Sequence, residues 1–377
     1  MNKKYKLVEK KYFDELDKEL WQIEALRDFG DVKTGERGGW IESESNLSAE
    51  GDAWIFRNAK VYGNAWVSGN AWVSGNAAVY ENAKVFGDAK VYGRSWVFEN
   101  AWVSGNAKVF ENAKVFGNAR IYGDVEVCGN AWVSGNARVF ENAEVFGNAE
   151  VFGKAKVYGD AAVIGTARVY ENALVYENAE VFGNARIYGD TMVYGSARVY
   201  ENAKVYGRSW VFENAKVFGN ARIYGDVEVC GKSEVYENAV VYENAEVFGN
   251  ARIYEDARIY GDAKVFGDAE VFGKAMVYEN AEVYGGARVY GNARVYGDTL
   301  IFVNAKVYED ADVCGYTRVF ENAEVYGNVM VYGNAMVYGN AQVFENAEVY
   351  GNAQVSGDVV VCGYAWVFGD TQIPERK

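Results

Sequence analysis

Asn58-Ala59-Lys60-Val61-Tyr62-Gly63 is the stretch that decides the fold of this chain. Read as N-A-x-V-[Y/F]-[G/E], the same unit runs from Asn46 to Gly369 without insertion or deletion, over 324 residues or 54 hexads. A period this short, kept this long, specifies a solenoid. Ala and Val stand two apart, and a strand sends residues i and i+2 to one face. Ala59 and Val61 therefore point inward, while Lys60 and Tyr62 point outward. The Gly-Asn or Glu-Asn step that follows is turn chemistry, because glycine takes positive φ freely and Asn tolerates it better than most residues. Each hexad is a short strand plus a corner.

Three hexads close a triangular coil of 18 residues, so the 54 hexads make about 18 coils. At about 4.8 Å per coil the rod is roughly 86 Å long. The expected fold class is all-β, a single-stranded parallel β-helix in which Val stacks on Val and Ala on Ala. Residues 1–45 break the period and are read as an N-terminal capping segment over the unpaired edge of the first coil. Residues 46–369 are the repeat and 370–377 a short C-terminal tail, in which Pro374 is a strand stop. Within the cap, Tyr12, Phe13, Leu16, Leu20, Ile23 and Leu26 fit a helix, while Trp21, Ile23 and Ala25 fit a strand; both readings stay open.

The pattern of a small residue, any residue, then Val resembles the hexapeptide-repeat family. That resemblance implies a left-handed coil, where general crossover rules favour the right-handed one. The slot after Val is usually small or acidic in that family, and here it is mostly Tyr or Phe. Ala25-Leu26-Arg27-Asp28-Phe29-Gly30-Asp31-Val32-Lys33, Gly38-Gly39-Trp40-Ile41-Glu42-Ser43 and Asn46-Leu47-Ser48 resemble the opening of YdcK-like hexapeptide-repeat proteins of bacteria and phages. Members carry transferase or polymer-forming labels that rest on the β-helix, and fold does not establish function.

The net charge of −15 counts against binding to a phosphate backbone, so no direct nucleic-acid binding is expected. No run of 18 apolar residues exists to span a membrane, and the N-terminus lacks the apolar stretch of a signal peptide. A cytoplasmic location, in a bacterium or a phage-infected cell, is the expectation. Cys128, Cys230, Cys314 and Cys362 occupy the aromatic slot many coils apart and read as plain substitutions. The chain has no histidine, the residue that resemblance to hexapeptide acyltransferases requires as general base. GxSxG, Walker and CxxC motifs are missing too, and corner carboxylates such as Glu81 and Glu99 recur as repeat variants. No catalytic, cofactor-binding or metal-binding residue is assigned, and the chain is read as not an enzyme.

Sorting hexads in threes gives one face with Lys60, Lys114, Arg168, Arg186, Lys204, Arg222, Arg258 and Arg294 at x. Another carries Glu126, Glu144, Glu180, Glu234, Glu270 and Glu324 mixed with Lys90, Lys108, Arg198 and Arg252. The aromatic columns either stack on themselves or offer a contact surface. The early coils are richest in tryptophan, and the candidate interaction surface is Trp54, Trp66, Trp72, Trp96, Trp102 and Trp132 with Tyr62 and Tyr92. The expected function is a non-enzymatic rod, structural or self-assembling, whose partner is itself (end-on or lateral) or another protein. The alternatives are an acidic nucleic-acid-mimicking decoy or phage anti-defence protein, and a hexapeptide-type acyltransferase disfavoured by the absence of His.

Overall fold

The computed structural model describes residues 3–373, and over them the chain is an all-β parallel β-solenoid. Pro374 and the Glu-Arg-Lys end, like Met1 and Asn2, lie outside the described residues. The chain divides into two compact units, Met1–Gly189 and Asp190–Lys377.

In the N-terminal unit, β1 (Tyr5–Phe13) and β2 (Lys18–Ala25) form an antiparallel pair, and β2 pairs antiparallel with β3 (Arg37–Ile41). The helical reading of this segment is therefore wrong. Its apparent helical spacing has a local cause. The register of β2 against β3 shifts between Gln22 and Glu24, and this bulge breaks strict alternation, so Leu20, Ile23 and Ala25 are all buried.

β3 then starts the parallel stacking, with Trp40-Ile41 beside Lys60-Val61. Lys60-Val61 lies beside Ala78-Val79 (first face), Trp66-Val67 beside Lys84-Val85 (second face) and Trp54-Ile55 beside Trp72-Val73 (third face). Ile41 pairs with Val61 and Leu47 bridges Val67, both twenty residues on, whereas Ile55 pairs with Val73, eighteen on. Two additional residues thus fall between Leu47 and Ile55. Leu47 takes a Val slot, and the unbroken six-residue period starts at Asp52 rather than Asn46. The Asn46 side chain ties this irregular turn together. Its Oδ1 accepts from the Glu42 and Ser43 N–H groups, and its Nδ2 donates to the Gly63 and Ala65 carbonyls.

The C-terminal unit follows the same three-face scheme. Lys204–Gly207 pairs with Arg222–Gly225 on its first face, Met192-Val193 with Trp210-Val211 on the second, and Arg198-Val199 with Lys216-Val217 on the third.

Within each unit every coil donates its backbone N–H groups to carbonyls of the next: Lys60 N–H to Ala77 O at 2.9 Å, Tyr224's successor Tyr242 lying on the same ladder as Arg222 N–H to Ala239 O at 3.0 Å. The carbonyls of the first coil therefore need donors from the preceding segment. Lys4 Nζ donates to Ala53 O at 2.6 Å and Ser48 O at 3.4 Å. The Tyr5 hydroxyl lies 3.0 Å from both Glu44 O and Leu47 O. Burial drives the Lys4 ammonium down to about 8, against the opposing pull of Asp52.

The corners divide their labour differently from the sequence reading. Positive φ belongs to the Gly or Glu, not to the Asn. The corner glutamates take φ between 57 and 65, inside the left-handed region open to L-residues. Several are held there by a bond one coil on: Glu141 Oε2 accepts from Gly159 N–H at 2.8 Å, and Glu243 Oε2 from Gly261 N–H at 2.8 Å. Val303, at φ 64, is a β-branched exception that nothing in the structure explains. Asn instead builds a side-chain ladder. Asn64 Nδ2 donates to Asn82 Oδ1 at 3.1 Å, and Asn82 Nδ2 to Asn100 Oδ1 at 3.2 Å. In the C-terminal unit the run Asn304, Asn322, Asn340 ends on Asp358, whose carboxylate only accepts.

Gly225 shows the limit of the Gly–Glu exchange. Its φ of 93 lies beyond the left-handed well, and an added Cβ would stand 2.6 Å from Glu243 O. At Gly63 the φ is 68 and the nearest such approach is 3.0 Å. Gly225→Glu is expected to destabilise by about 1–3 kcal/mol more than Gly63→Glu in parallel urea melts. Equal losses would show that corner dihedral does not decide which glycines are replaceable.

Candidate interaction faces

The aromatic slots form ladders. In the N-terminal unit Tyr62, Tyr80, Phe98 and Phe116 stack with centroids 4.9–5.0 Å apart and planes within 6°. In the C-terminal unit six successive tyrosines on the first face, Tyr206, Tyr224, Tyr242, Tyr260, Tyr278 and Tyr296, stack at 4.7–5.1 Å. Tyr62 and Tyr92 are half-buried members of such ladders; Tyr92 stacks on Phe110 at 4.9 Å. Each has one face against the ring of the next coil, Tyr80 for Tyr62 and Phe110 for Tyr92.

Cys128, Cys230 and Cys314 are free and half-buried in aromatic slots. Burial, then nearby glutamates, pushes the Cys128 and Cys230 thiols up to about 11, which suppresses the reactive thiolate.

The tryptophans divide into three groups. Trp54 is not part of an outer surface, although it occupies the same hexad slot as Trp66. It is fully buried, with Phe29 edge-on at 5.3 Å and Tyr5 at 6.3 Å, because the N-terminal segment folds over it. Trp72 and Trp102 are half-buried, each edge-to-face or tilted on the ring of the preceding coil: Phe56 at 5.3 Å and Phe86 at 6.2 Å. In both hexads the aromatic slot holds serine, Ser74 or Ser104, and the indole takes up part of the missing ladder contact. Trp132, beside Ser134, makes the same contact with Phe116 at 6.2 Å but is 42% exposed. Trp66 and Trp96 are exposed at 42% and 43%.

Cations sit on these indoles. Lys114 Nζ lies 5.0 Å from the Trp96 ring and 5.1 Å from that of Trp132, making a Trp–Lys–Trp stripe on the first face. Lys90 lies 4.9 Å from Trp72; Lys84 and Arg120 lie 5.1 and 4.8 Å from Trp102. Elsewhere the x slots neutralise each other between coils, as Lys108–Glu126 at 2.7 Å does in the N-terminal unit and Lys306–Glu324 at 2.7 Å in the C-terminal unit. The second face of the N-terminal unit, which the sorting of charges by face left undescribed, carries Lys84, Arg120, Arg138 and Lys156 in one column. Sorting the third set of hexads would have shown it.

Among the described residues no group of three or more His, Cys, Asp or Glu is arranged to hold a metal ion, and no helix is long and apolar enough to cross a membrane.

The family described as "YdcK Beta solenoid repeat" matches residues 59–75, 185–201, 287–301, 323–339 and 331–345, so the chain carries YdcK-type repeats. It is 51% identical over 37 residues to the "Uncharacterized acetyltransferase YdcK" of Escherichia coli (strain K12), a match covering 10% of this chain and 11% of the relative. The chain thus spans about a tenth of that relative's length in the match. A solved UDP-N-acetylglucosamine acyltransferase of Francisella novicida aligns at 12% identity over 48% of this chain and 63% of its own, with a TM-score of 0.23. The curated relative's name stands against reading this chain as not an enzyme, and that exclusion is withdrawn.

Proposed function

We infer from this YdcK-like repeat architecture that the chain is an interaction scaffold, a solenoid that associates laterally with copies of itself or with another protein through its tryptophan-bearing faces. The observation that carries this reading is the Trp96–Lys114–Trp132 stripe, in which two indoles on one flat face stay over two-fifths exposed. Tryptophan is enriched where protein interfaces concentrate their binding energy, and exposed apolar stripes mark contact surfaces. The expected result in light scattering is a molar mass that rises with concentration. Trp96→Ala/Trp132→Ala should weaken that association at least about tenfold, since each such anchor is worth about 2 kcal/mol or more. A monomer mass held across the whole range removes the self-association arm. Capture of a specific partner by the native chain and not by the variant would then carry the other arm.

The relative's name supports a second reading, acetyl transfer. Release of free thiol from acetyl-CoA in the presence of amine and hydroxyl acceptors tests it, and a trace no steeper than the protein-free blank sinks it.

A further inference from the structure

We propose that the second face of the N-terminal unit binds a linear acidic polysaccharide, a polyuronate, along the column Lys84, Arg120, Arg138 and Lys156. Arg120 pairs in register with Arg138, and Arg138 with Lys156, so these cations follow one another at the strand spacing, about 4.8 Å. Like charges directly opposite on neighbouring strands destabilise a sheet. The other faces of this unit also hold like neighbours, such as Lys90 beside Lys108 and Arg168 beside Arg186, but there an ion pair to the adjoining coil neutralises one of the two, as in Lys108–Glu126 and Arg168–Glu150. Among the described residues, none of the four column cations has a carboxylate within ion-pair distance. Lys154 adds a further cation at one corner of this face.

Asp124, Glu141 and Asp160 line the opposite corner, and their carboxylates already accept from Asn106 Nδ2, the Gly159 N–H and Asn142 Nδ2. A chain of net charge −15 that keeps a straight, unneutralised cation column carries a repulsion that a bound anion relieves.

The surface beside the column has room for a sugar. Ser104 stands where the ladder elsewhere has a ring, between Phe86 and Tyr122, and leaves a groove of about 340 Å³ that Trp102, Arg120 and Arg138 also line. A polyuronate carries one carboxylate per ring, which an arginine fork accepts in bidentate fashion. Nucleic acid fits less well. Single strands bind by stacking successive bases on aromatic faces; here the Trp102 face is covered by Lys84 and Arg120, and Tyr122, Phe140 and Tyr158 stack on one another beyond the single gap at Ser104. A duplex sets its charges about 1.7 Å apart along the axis, far closer than the cations of the column, which follow one another at about 4.8 Å.

This inference does not rest on the scaffold reading, which light scattering without any polysaccharide decides. The test is fluorescence anisotropy of a fluorescein-labelled oligouronate with the full chain. Binding is expected at low salt and is lost at about 1 M salt, where the Debye length falls to about 3 Å. Arg120→Glu/Arg138→Glu should weaken it at least tenfold. Lys204→Glu/Arg222→Glu, with the same charge change on the C-terminal unit, should leave it unchanged. Circular dichroism identical to the native chain confirms that the reversed side chains, which are exposed, have not unfolded the face; if it differs, Arg138→Gln alone carries the test. No binding at low salt, equal loss in both double variants, or tighter binding of a single-stranded DNA of equal charge would each overturn the proposal.

Discussion

Between pH 10 and pH 12 the C-terminal unit is expected to lose its β structure in one cooperative step, with its half-buried ladder tyrosines Tyr242, Tyr254 and Tyr278 ionising in the same step. Burial is the main cause that pushes the Tyr242, Tyr254 and Tyr278 hydroxyls from 10.0 up to about 12, with neighbouring Tyr or Glu adding to it. Tyr260, Tyr290 and Tyr236 move in the same direction for the same first reason. Each ring is clamped between two others at 4.7–5.1 Å, so a phenolate would sit against apolar faces with poor hydration. The folded-state value lies above the unfolded one. The folded chain thus holds protons that the unfolded chain has released, and the stabilisation, complete below pH 10, is lost as pH rises through 12. Lys4, in the N-terminal unit, acts in the opposite sense. Its folded value of about 8 lies below the ordinary 10.5, so the stability of that segment increases as pH rises between them. Tyrosinate absorbance and far-ultraviolet circular dichroism, followed together, check the prediction. Tyr242→Phe/Tyr260→Phe should raise the alkaline midpoint, since Phe already fills equivalent slots at Phe266 and Phe272. Smooth ionisation near pH 10 with an unchanged β signal would mean that the ladder leaves its hydroxyls fully hydrated.

The stacking itself was legible because two facts coincide in every hexad. Ala and Val stand two apart, and the next residue but one is a turn former, so the inward face and the corner read directly. What the repeat could not show is anything that depends on a residue far away in sequence. Trp54 and Trp66 hold the same slot, yet one is buried and the other exposed, because Phe29 and Tyr5 fold onto the first coil alone. The strands of residues 5–25 were obscured by the bulge at Gln22–Glu24, which places Leu20 and Ile23 on one side at a helix-like spacing. The Asn ladder needs the eighteen-residue coil before its partners can be paired, as Asn64 with Asn82. The cation column of the second face was present in the sequence, but its lack of counter-ions is a property of side-chain geometry.

Val265→Asp is expected to unfold the coils around it, whereas Ala263→Ser, two residues away and equally buried, should cost little. The Val slot holds Val or Ile in every hexad from Ile55 to Ile373, while the Ala slot admits Ser95, Ser209, Ser233, Thr299 and Thr317. The difference lies in what each slot can reach. At the Ala slot the hydroxyl turns back to the carbonyl three residues earlier: Ser209 Oγ to Tyr206 O at 2.9 Å, Ser233 Oγ to Cys230 O at 2.7 Å, Thr299 Oγ1 to Tyr296 O at 2.7 Å. A serine at 263 has Tyr260 O in the corresponding place. At the Val slot the side chain is fully buried in the bore and has no corner carbonyl three residues back to reach, while Val265 O accepts from Phe248 N–H at 3.0 Å. Val265→Thr therefore buries a hydroxyl at a cost of about 1–3 kcal/mol. Val265→Asp buries a carboxylate among Val, Ile and Ala, with no buried cation among the described residues of this unit, which costs several kcal/mol more. Because each coil is stabilised chiefly by its neighbours, that loss falls on the adjoining coils as well. Urea melts should rank the variants Ser, Thr, Asp in order of increasing damage. A serine variant as unstable as the threonine one would show that the corner carbonyl is not what admits hydroxyls, and a stable aspartate variant would mean that water reaches the bore.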